Sequence, residues 1–228
     1  GISSLTAEKM SLYAEAISRN SAITNTTSTV YIDDGASHYK ISVGDSINIA
    51  INGTSYAFKV MGFNHDTLTS STAYGSATAT GKAGMTLQMA DCLAATAKMN
   101  SSNTNSGGWE SCAMRTSNMA TYLSQLTSAW QSVVKQVNKL SSAGSQSTTI
   151  KTTADKLFLL SEVEIFGSAT YSVSGEGSQY AYYKAGNSKV KNVNGSANYW
   201  WERSPYASYT TSFCCVSSSG NAFDASAS

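Results

Sequence analysis

The 228-residue sequence contains one proline, two histidines and few charged side chains. Charged residues make up 13% of the chain, about half of the usual share, and the net charge is +1. The 15 Lys and Arg residues are scattered and form no basic stripe. We expect no nucleic-acid partner, because phosphate binding requires clustered positive charge.

Long apolar segments are also missing. No stretch approaches the roughly 20 apolar residues that a membrane-spanning helix needs, so membrane insertion is not expected. Residues 1–5 lack the basic end and apolar core of a signal peptide. Hydrophobic residues make up 41%, and a chain of this length can bury a core without disulfide bonds.

The common catalytic and cofactor-binding motifs are absent from the sequence. There is no H-E-x-x-H, Walker A, G-x-G-x-x-G, EF-hand or G-x-S-x-G pattern. His65 precedes Asp66, and we interpret this pair as a group that orients a loop by hydrogen bonds rather than as part of a triad. The sequence contains no dense cluster of carboxylates of the kind that binds calcium. We therefore expect a non-enzymatic protein with no catalytic residue, no cofactor and no metal ligand.

The four cysteines form no CxxC pair. Adjacent Cys214 and Cys215 would point to opposite faces of a strand, so a shared metal ion is unfavourable. One interpretation is that all four are small buried residues. A disulfide between Cys92 and Cys112 is the alternative.

The hydrophobic pattern predicts an α+β fold with an N-terminal helix and a β-hairpin. Alternating runs at 46–51 and 56–63 flank Asn52-Gly53, the strongest short-range hairpin signal. Ser161 and Glu164 form a capping box. Helices are predicted at 4–20 with Thr6 as N-cap, at 85–99, at 117–126, from Ser128, and from Ser161 to Gly167. Further strands are predicted at 155–160, 213–216 and 222–225.

Large side chains stand out in this sequence of small residues. We interpret them as structural, with indole rings in the core and Arg–acid pairs fixing loops. The alternative is that they line a ligand pocket. They are Trp109, Arg115, Trp200, Trp201, Glu202 and Arg203.

The C-terminal segment has an unusual composition. After Tyr206 there is no Lys, Arg, Glu, Gln, His, Trp, Met, Leu, Ile or Pro. Tyr supplies rigid amphipathic area at low entropic cost, and Ser, Asn and Gly supply adaptable hydrogen bonds, as in binding loops. The segment from about 199 to 228 is therefore the predicted recognition surface.

Four ordered motifs carry a family resemblance. They are Phe58-Lys-Val-Met-Gly-Phe-Asn-His-Asp66, Gly107-Gly108-Trp109 with Met114-Arg115-Thr116, Asp155-Lys-Leu-Phe-Leu-Leu-Ser-Glu162, and Trp200-Trp-Glu-Arg-Ser-Pro205. Residues 35–228 resemble an uncharacterised domain family of gut bacteria and their prophages. Some of its members look like the variable proteins of diversity-generating retroelements.

The resemblance implies a C-type-lectin-like ligand-binding domain over residues 31–228. Residues 1–30 are then an N-terminal helix and linker for oligomerisation or attachment. The implied protein is a receptor-binding component on the extracellular face of a phage tail. Its expected partners are a host cell-surface protein or glycan and other phage tail proteins, and a homo-oligomer such as a trimer is implied. Teichoic acid is also open as a ligand.

The retroelement resemblance also divides the C-terminal segment into scaffold and ligand-facing positions. Adenine mutagenesis of Asn codons yields residue types like those that follow Tyr206. The implied scaffold is Trp200, Trp201, Arg203, Pro205, Phe213, Cys214, Val216 and Gly220. The implied ligand-binding positions are Tyr199, Tyr206, Ser208, Tyr209, Thr210, Ser212, Ser217, Ser218, Ser219, Asn221 and Asp224.

Two alternatives stay open at this point. One is a structural virion component, such as a decoration protein, that recognises no ligand. The other is an oxidase of the formylglycine-generating type, although its copper-binding cysteine pair fits poorly with adjacent Cys214 and Cys215. The sequence also departs from the resemblance, because the closing C-terminal strand that relatives usually carry is not present before Ser228.

Overall fold

A computed structural model describes residues 2–228. The protein is a mixed α/β chain made mostly of small antiparallel sheets, with short helices between them. The helices are α1 (Ala7–Arg19), α2 (Gly108–Ser111), α3 (Met119–Gln125), α4 (Ser128–Val133), α5 (Glu162–Phe166) and α6 (Ala181–Lys184), with a π-helical turn at Met114–Asn118. The strands are β1 (Thr29–Asp33), β2 (His38–Ser42), β3 (Ser46–Ile51), β4 (Thr54–Phe63), β5 (Met85–Met89), β6 (Val137–Ser142), β7 (Ile150–Asp155), β8 (Lys191–Val193), β9 (Ser196–Asn198), β10 (Trp200–Pro205), β11 (Ser212–Val216) and β12 (Ala222–Ser226).

The chain forms two compact units. Unit 1 comprises the residues up to Ala90, Ser124–Asn138 and Tyr180–Ala185. Unit 2 comprises Asp91–Leu123, Lys139–Gln179 and Gly186–Ser228. Helix α1 lies in unit 1 together with the strands that follow it.

Helix α1 begins where the sequence predicts. The Thr6 hydroxyl accepts a hydrogen bond from the Lys9 amide, which confirms Thr6 as the N-cap. The Asn64 side chain donates to the carbonyl of Ile17 at 3.0 Å, which ties the last turn to the end of β4. The buried face of the helix includes Met10, Tyr13 and Ile17. This burial makes the helix a packed part of unit 1.

The predicted hairpin is confirmed by β3 and β4. The two strands pair antiparallel from Ser46 with Lys59 to Ile51 with Thr54. Asn52 and Gly53 connect them with φ values of 49° and 77°, as a type I′ turn requires.

The predicted helix over 85–99 is wrong. Met85–Met89 forms β5, which pairs antiparallel with β4. Just beyond that strand, the Ala90 amide donates to the carbonyl of Ala57 at 2.8 Å. The free edge of β4 thus binds this segment, and tertiary pairing overrides local helix propensity. The predicted strand over 155–160 is also misplaced, since β7 ends at Asp155.

Unit 2 contains a three-stranded antiparallel sheet in the order β10-β11-β12. The two strands predicted around the Ser217–Gly220 turn are confirmed, with Val216 opposite Ala222. A buried cluster lies beside this sheet and contains Met99, Trp109, Cys112, Met114, Phe213 and Ala227.

The helix that opens with Ser161 is also confirmed. Ser161 and Glu164 make both hydrogen bonds of a capping box, and Gly167 ends α5 with a φ of 81°. The structural interpretation of Trp109 and Arg115 is confirmed as well. The Trp109 indole and the Arg115 guanidinium both donate to the Asp155 carboxylate, at 2.9 and 2.7 Å.

The four cysteines are free thiols, so the alternative of a Cys92–Cys112 disulfide is not realised. Cys112, Cys214 and Cys215 are buried, which agrees with their interpretation as small core residues. Among residues 2–228, no helix combines the length and apolarity needed to cross a membrane.

Candidate ligand-binding surface

Strand β10 is fixed to the interior of unit 2 by the buried side chain of Arg203. Its guanidinium donates to both carboxylate oxygens of Glu164, at 2.6 and 2.9 Å. Lys139 donates to the same carboxylate at 2.6 Å. The remaining guanidinium donors reach the carbonyls of Leu140, Leu159 and Glu176. Because the buried guanidinium is paired with a carboxylate and its donors are hydrogen-bonded, it holds the start of the C-terminal segment rigidly in place.

The loop between β10 and β11 is held through its main chain. Asn105 is buried, and its side-chain amide donates to the carbonyls of Tyr209 and Ser212 at 2.7 and 2.8 Å, with a longer contact of 3.3 Å to that of Tyr206. The Asn105 main-chain amide donates to the carbonyl of Thr210 at 2.7 Å. Gln146 donates to the carbonyl of Ser208 at 3.0 Å.

The side chains of this loop are left to the solvent. Within residues 2–228, the side chains of Tyr206, Ser208, Tyr209 and Thr210 make no hydrogen bond. Tyr209 is 59% exposed, and its ring meets that of Tyr206 edge to face at 4.9 Å. Tyr171 meets the other side of the group, with its ring centroid 5.3 Å from that of Tyr206. We call Tyr171, Tyr206, Ser208, Tyr209 and Thr210 the loop patch.

A second group of exposed residues lies at the other end of β11. Tyr199 and Phe223 are 51% and 45% exposed, with ring centroids 5.6 Å apart. The adjacent β11–β12 turn adds Ser218, Ser219 and Asn221. We call these five residues the turn patch. The five residues of β11 separate the two patches by roughly 13–17 Å at about 3.3 Å per residue. The structure therefore does not bring all the predicted positions together.

The predicted positions also differ in exposure. Tyr199, Ser208, Tyr209, Thr210, Ser219 and Asn221 are exposed, and Tyr206, Ser218 and Asp224 are half-buried. Ser212 and Ser217 are buried, which corrects their prediction as ligand-facing. The carbonyl of Ser212 accepts hydrogen bonds from Asn105 and from the Tyr206 amide. The Ser217 hydroxyl accepts one from the Asn221 amide at 3.1 Å.

The predicted scaffold positions follow the same division. Trp200, Arg203, Pro205, Phe213, Cys214 and Val216 are buried, whereas Trp201 and Gly220 are half-buried.

A family model described as a domain of unknown function, DUF6273, matches residues 83–228, which is more than half of the chain. The chain belongs to the DUF6273 family. No curated protein and no solved structure matches it. The DUF6273 match includes every residue of unit 2, and therefore both patches.

Sequence reasoning missed two residues of the DUF6273 region. Asn105 lies in a polar stretch that resembles an ordinary loop, and its acceptors are 101 to 107 residues away. Tyr171 follows the helix predicted to end at Gly167, and no local pattern links it to Tyr206. Both roles depend on long-range contacts.

Glu202 lies in β10 and is a buried carboxylate. Within residues 2–228 neither of its side-chain oxygens has a hydrogen-bond partner. Burial raises the pKa of Glu202 well above its ordinary value of 4.5, and the nearby carboxylates of Glu162 and Glu176 raise it further. Glu202 is thus expected to be a neutral acid. No group of three or more His, Cys, Asp or Glu side chains in the described residues is arranged to hold a metal ion.

The adjacent cysteines in the same sheet are weak acids. Burial raises the pKa of the Cys215 thiol to about 12 and that of the Cys214 thiol well above its ordinary value, with Glu202 contributing to both shifts. Such thiols stay protonated at neutral pH.

His65 and Asp66 both lie in unit 1. The Asp66 carboxylate accepts hydrogen bonds from the hydroxyls of Thr86, at 2.5 Å, and Tyr180, at 2.8 Å. The His65 ring stacks on Tyr180 at 3.9 Å, and His65 Nδ1 is 3.9 Å from Asp66 Oδ1. Asp66 thus orients its surroundings by hydrogen bonds, as the sequence predicts.

Proposed function

We propose that this DUF6273 protein is a non-enzymatic recognition module of a phage tail that binds its ligand through the loop patch. The observation that carries the proposal is the way the loop from Tyr206 to Ser212 is held. Its carbonyls bind Asn105 and Gln146, while the side chains of its exposed residues make no hydrogen bond within residues 2–228.

This arrangement suits a binding surface for two reasons. A loop fixed by its main chain loses little conformational entropy when a ligand binds. Exposed tyrosines add rigid contact area, and the hydroxyls of Ser208 and Thr210 add adaptable hydrogen bonds. The turn patch is less suitable, because its Ser219 and Asn221 side chains already bond to each other at 3.1 Å.

The same arrangement supports a diversified surface. Replacing Tyr206, Ser208, Tyr209 or Thr210 would leave the carbonyl contacts of the loop in place. This is what a variable protein of a diversity-generating retroelement requires, and we propose a C-type-lectin-like scaffold on that resemblance. Its partners would be a host cell-surface protein or glycan and other tail proteins, and a homo-oligomer would raise avidity.

The test compares two matched pairs of aromatic residues. The Tyr206→Ala/Tyr209→Ala variant removes the loop-patch rings, and the Tyr199→Ala/Phe223→Ala variant removes those of the turn patch. Binding of each purified protein is measured on intact cells of the bacterium that carries the gene and of related gut strains. We expect the loop-patch variant to lose at least about tenfold in affinity, as truncation of buried interface tyrosines typically does. The turn-patch variant should bind as the parent does.

Each other outcome is informative. Loss of binding in the turn-patch variant alone would move the surface to the turn patch. Unchanged binding by both variants would overturn recognition by either patch and favour a structural virion component. Sequencing the gene in sibling phages adds an independent comparison, since a structural component should show no clustering of changes at adenine-containing codons of positions 206–210.

The oxidase alternative is disfavoured by the cysteines. Cys214 and Cys215 are buried with raised pKa values, whereas a copper ligand is a thiolate. Copper-dependent oxidation of a thiol substrate, lost on Cys214→Ser or Cys215→Ser substitution, would overturn the non-enzymatic proposal.

A further inference from the structure

Tyr171 belongs to the loop patch but lies outside the C-terminal segment that is expected to vary. We infer that Tyr171 is a constant ligand contact, which every variant of the loop patch uses whatever residues it carries at positions 206–210. This inference rests on the proposed function, because it names a further ligand-contacting residue of the same surface.

The main chain of Tyr171 is held rigidly. Its amide donates to both carboxylate oxygens of Glu162, at 3.1 and 3.0 Å. The flanking amides of Thr170 and Ser172 bind the same carboxylate, at 3.0 and 2.7 Å, and the Ser172 hydroxyl adds a bond of 2.7 Å. Glu162 is fully buried. Three successive amides on one buried carboxylate fix where the Tyr171 side chain starts.

Tyr171 is also hydrogen-bonded directly to the loop. The carbonyl of Tyr171 accepts a hydrogen bond of 2.8 Å from the amide of Ala207. This bond also uses only main-chain atoms of the loop, so it persists when the loop side chains change. The position of Tyr171 relative to the loop is therefore independent of the loop sequence.

The rings of Tyr171 and Tyr209 both pack edge to face on the ring of Tyr206. Tyr171 meets Tyr206 at an interplanar angle of 77°, and Tyr209 meets Tyr206 at 79°. Tyr171 is half-buried, and it packs on the same Tyr206 ring as the exposed Tyr209. A ligand seated on the loop patch would touch a tyrosine with a fixed main chain on one side and changeable side chains on the other.

The chemistry of the patch points to an uncharged ligand surface. No Lys, Arg, Asp or Glu belongs to the loop patch or to residues 204–223. A constant tyrosine would supply apolar contact and one hydroxyl to each ligand, and the loop would supply the discrimination.

The experiment uses the full chain displayed on yeast, with Tyr206, Ser208, Tyr209 and Thr210 randomised together. Hen egg-white lysozyme serves as the selection probe, and independent clones with different loop sequences are collected. Tyr171→Ala is then introduced into each clone. We expect a loss of affinity of about tenfold or more in most clones, as for an aromatic contact at the centre of an interface. Tyr31→Ala is the matched control, since Tyr31 is 77% exposed on β1 and should leave affinity unchanged.

Display level and thermal unfolding show whether the Tyr171→Ala protein folds. Tyr171→Leu provides a second variant, which keeps apolar bulk at position 171 but lacks the phenol ring, and we expect it to lose affinity as well. Clones that tolerate both substitutions would overturn the constant-contact inference and leave the proposed function intact. A library that yields no lysozyme binder would overturn the loop patch as a recognition surface, and this inference with it.

Discussion

The side-chain amide of Asn105 donates a 2.7 Å hydrogen bond to the carbonyl of Tyr209, a residue 104 positions later in the chain. Tyr209 is therefore held by its backbone, while its ring is 59% exposed. Asn105 therefore fixes the conformation of the loop, whereas Tyr209 presents its side chain to the solvent.

Asn105→Ala and Tyr209→Ala should consequently have different effects. Asn105→Ala removes the side-chain donor of the Tyr206 and Tyr209 carbonyls and one of the two donors of the Ser212 carbonyl, and should lower the free energy of unfolding by about 2–4 kcal/mol. Tyr209→Ala removes an exposed ring and should change it by less than about 1 kcal/mol. Urea denaturation followed by circular dichroism measures both values. Equal destabilisation by the two variants would contradict the main-chain anchoring of the loop.

Replacement of Arg203 by lysine should be strongly destabilising. An ammonium group has three donors and cannot reproduce the bidentate contact with Glu164 together with three carbonyl contacts. We expect the free energy of unfolding to fall by about 2–4 kcal/mol, because acceptors inside unit 2 lose their hydrogen-bond donors. Arg19→Lys, at a partly exposed pair with Glu15, should cost less than about 1 kcal/mol. Similar urea midpoints for both variants would argue against the structural role of Arg203.

Glu202→Gln should change how stability depends on pH. The folded-state pKa of Glu202 is raised, so its protonated form stabilises the fold fully below the unfolded-state pKa near 4.5. That contribution is lost as pH rises through the folded-state pKa, with a slope of at most about 1.4 kcal/mol per pH unit for one proton. We expect the variant to match the parent near pH 4 and to be more stable at pH 8, as measured by urea denaturation at several pH values.

Glu176 and Glu110 serve as references for the Glu202 experiment. Burial also raises the pKa of Glu176, so the variant should keep part of the same pH dependence. Glu110 is exposed in unit 2, and Glu110→Gln should leave the parent's pH profile unchanged. A Glu202→Gln protein that is less stable than the parent at pH 8 would show that the folded state holds Glu202 as an anion.

Thiol labelling should distinguish Cys92 from the other cysteines. Cys92 is partly exposed, whereas Cys112, Cys214 and Cys215 are buried. With Ellman's reagent we expect one slowly reacting thiol per folded chain and four after unfolding in denaturant, without prior reduction. A count of two after unfolding would instead indicate a disulfide.

The parts of the fold that the sequence predicts well have local causes. Asn52-Gly53 adopts the positive φ values of its turn, and the Ser161–Glu164 box is complete within one helical turn. The helix predicted over 85–99 is wrong because β5 forms through its pairing with β4, and no local sequence pattern reveals that pairing. The candidate site shows the same limit. Tyr209 is recognisable from composition, whereas Asn105 and Tyr171 act on atoms far away in the chain.

The main-chain anchoring of the loop has a consequence for how this surface can evolve. Ser208, Tyr209 and Thr210 are exposed, so substitutions there should change the folding free energy little, and selection for stability would impose little constraint on them. Under the proposed function, the accessible repertoire would be limited by which codons mutation can reach, and neighbouring genotypes could differ widely in the partner they fit while sharing one backbone.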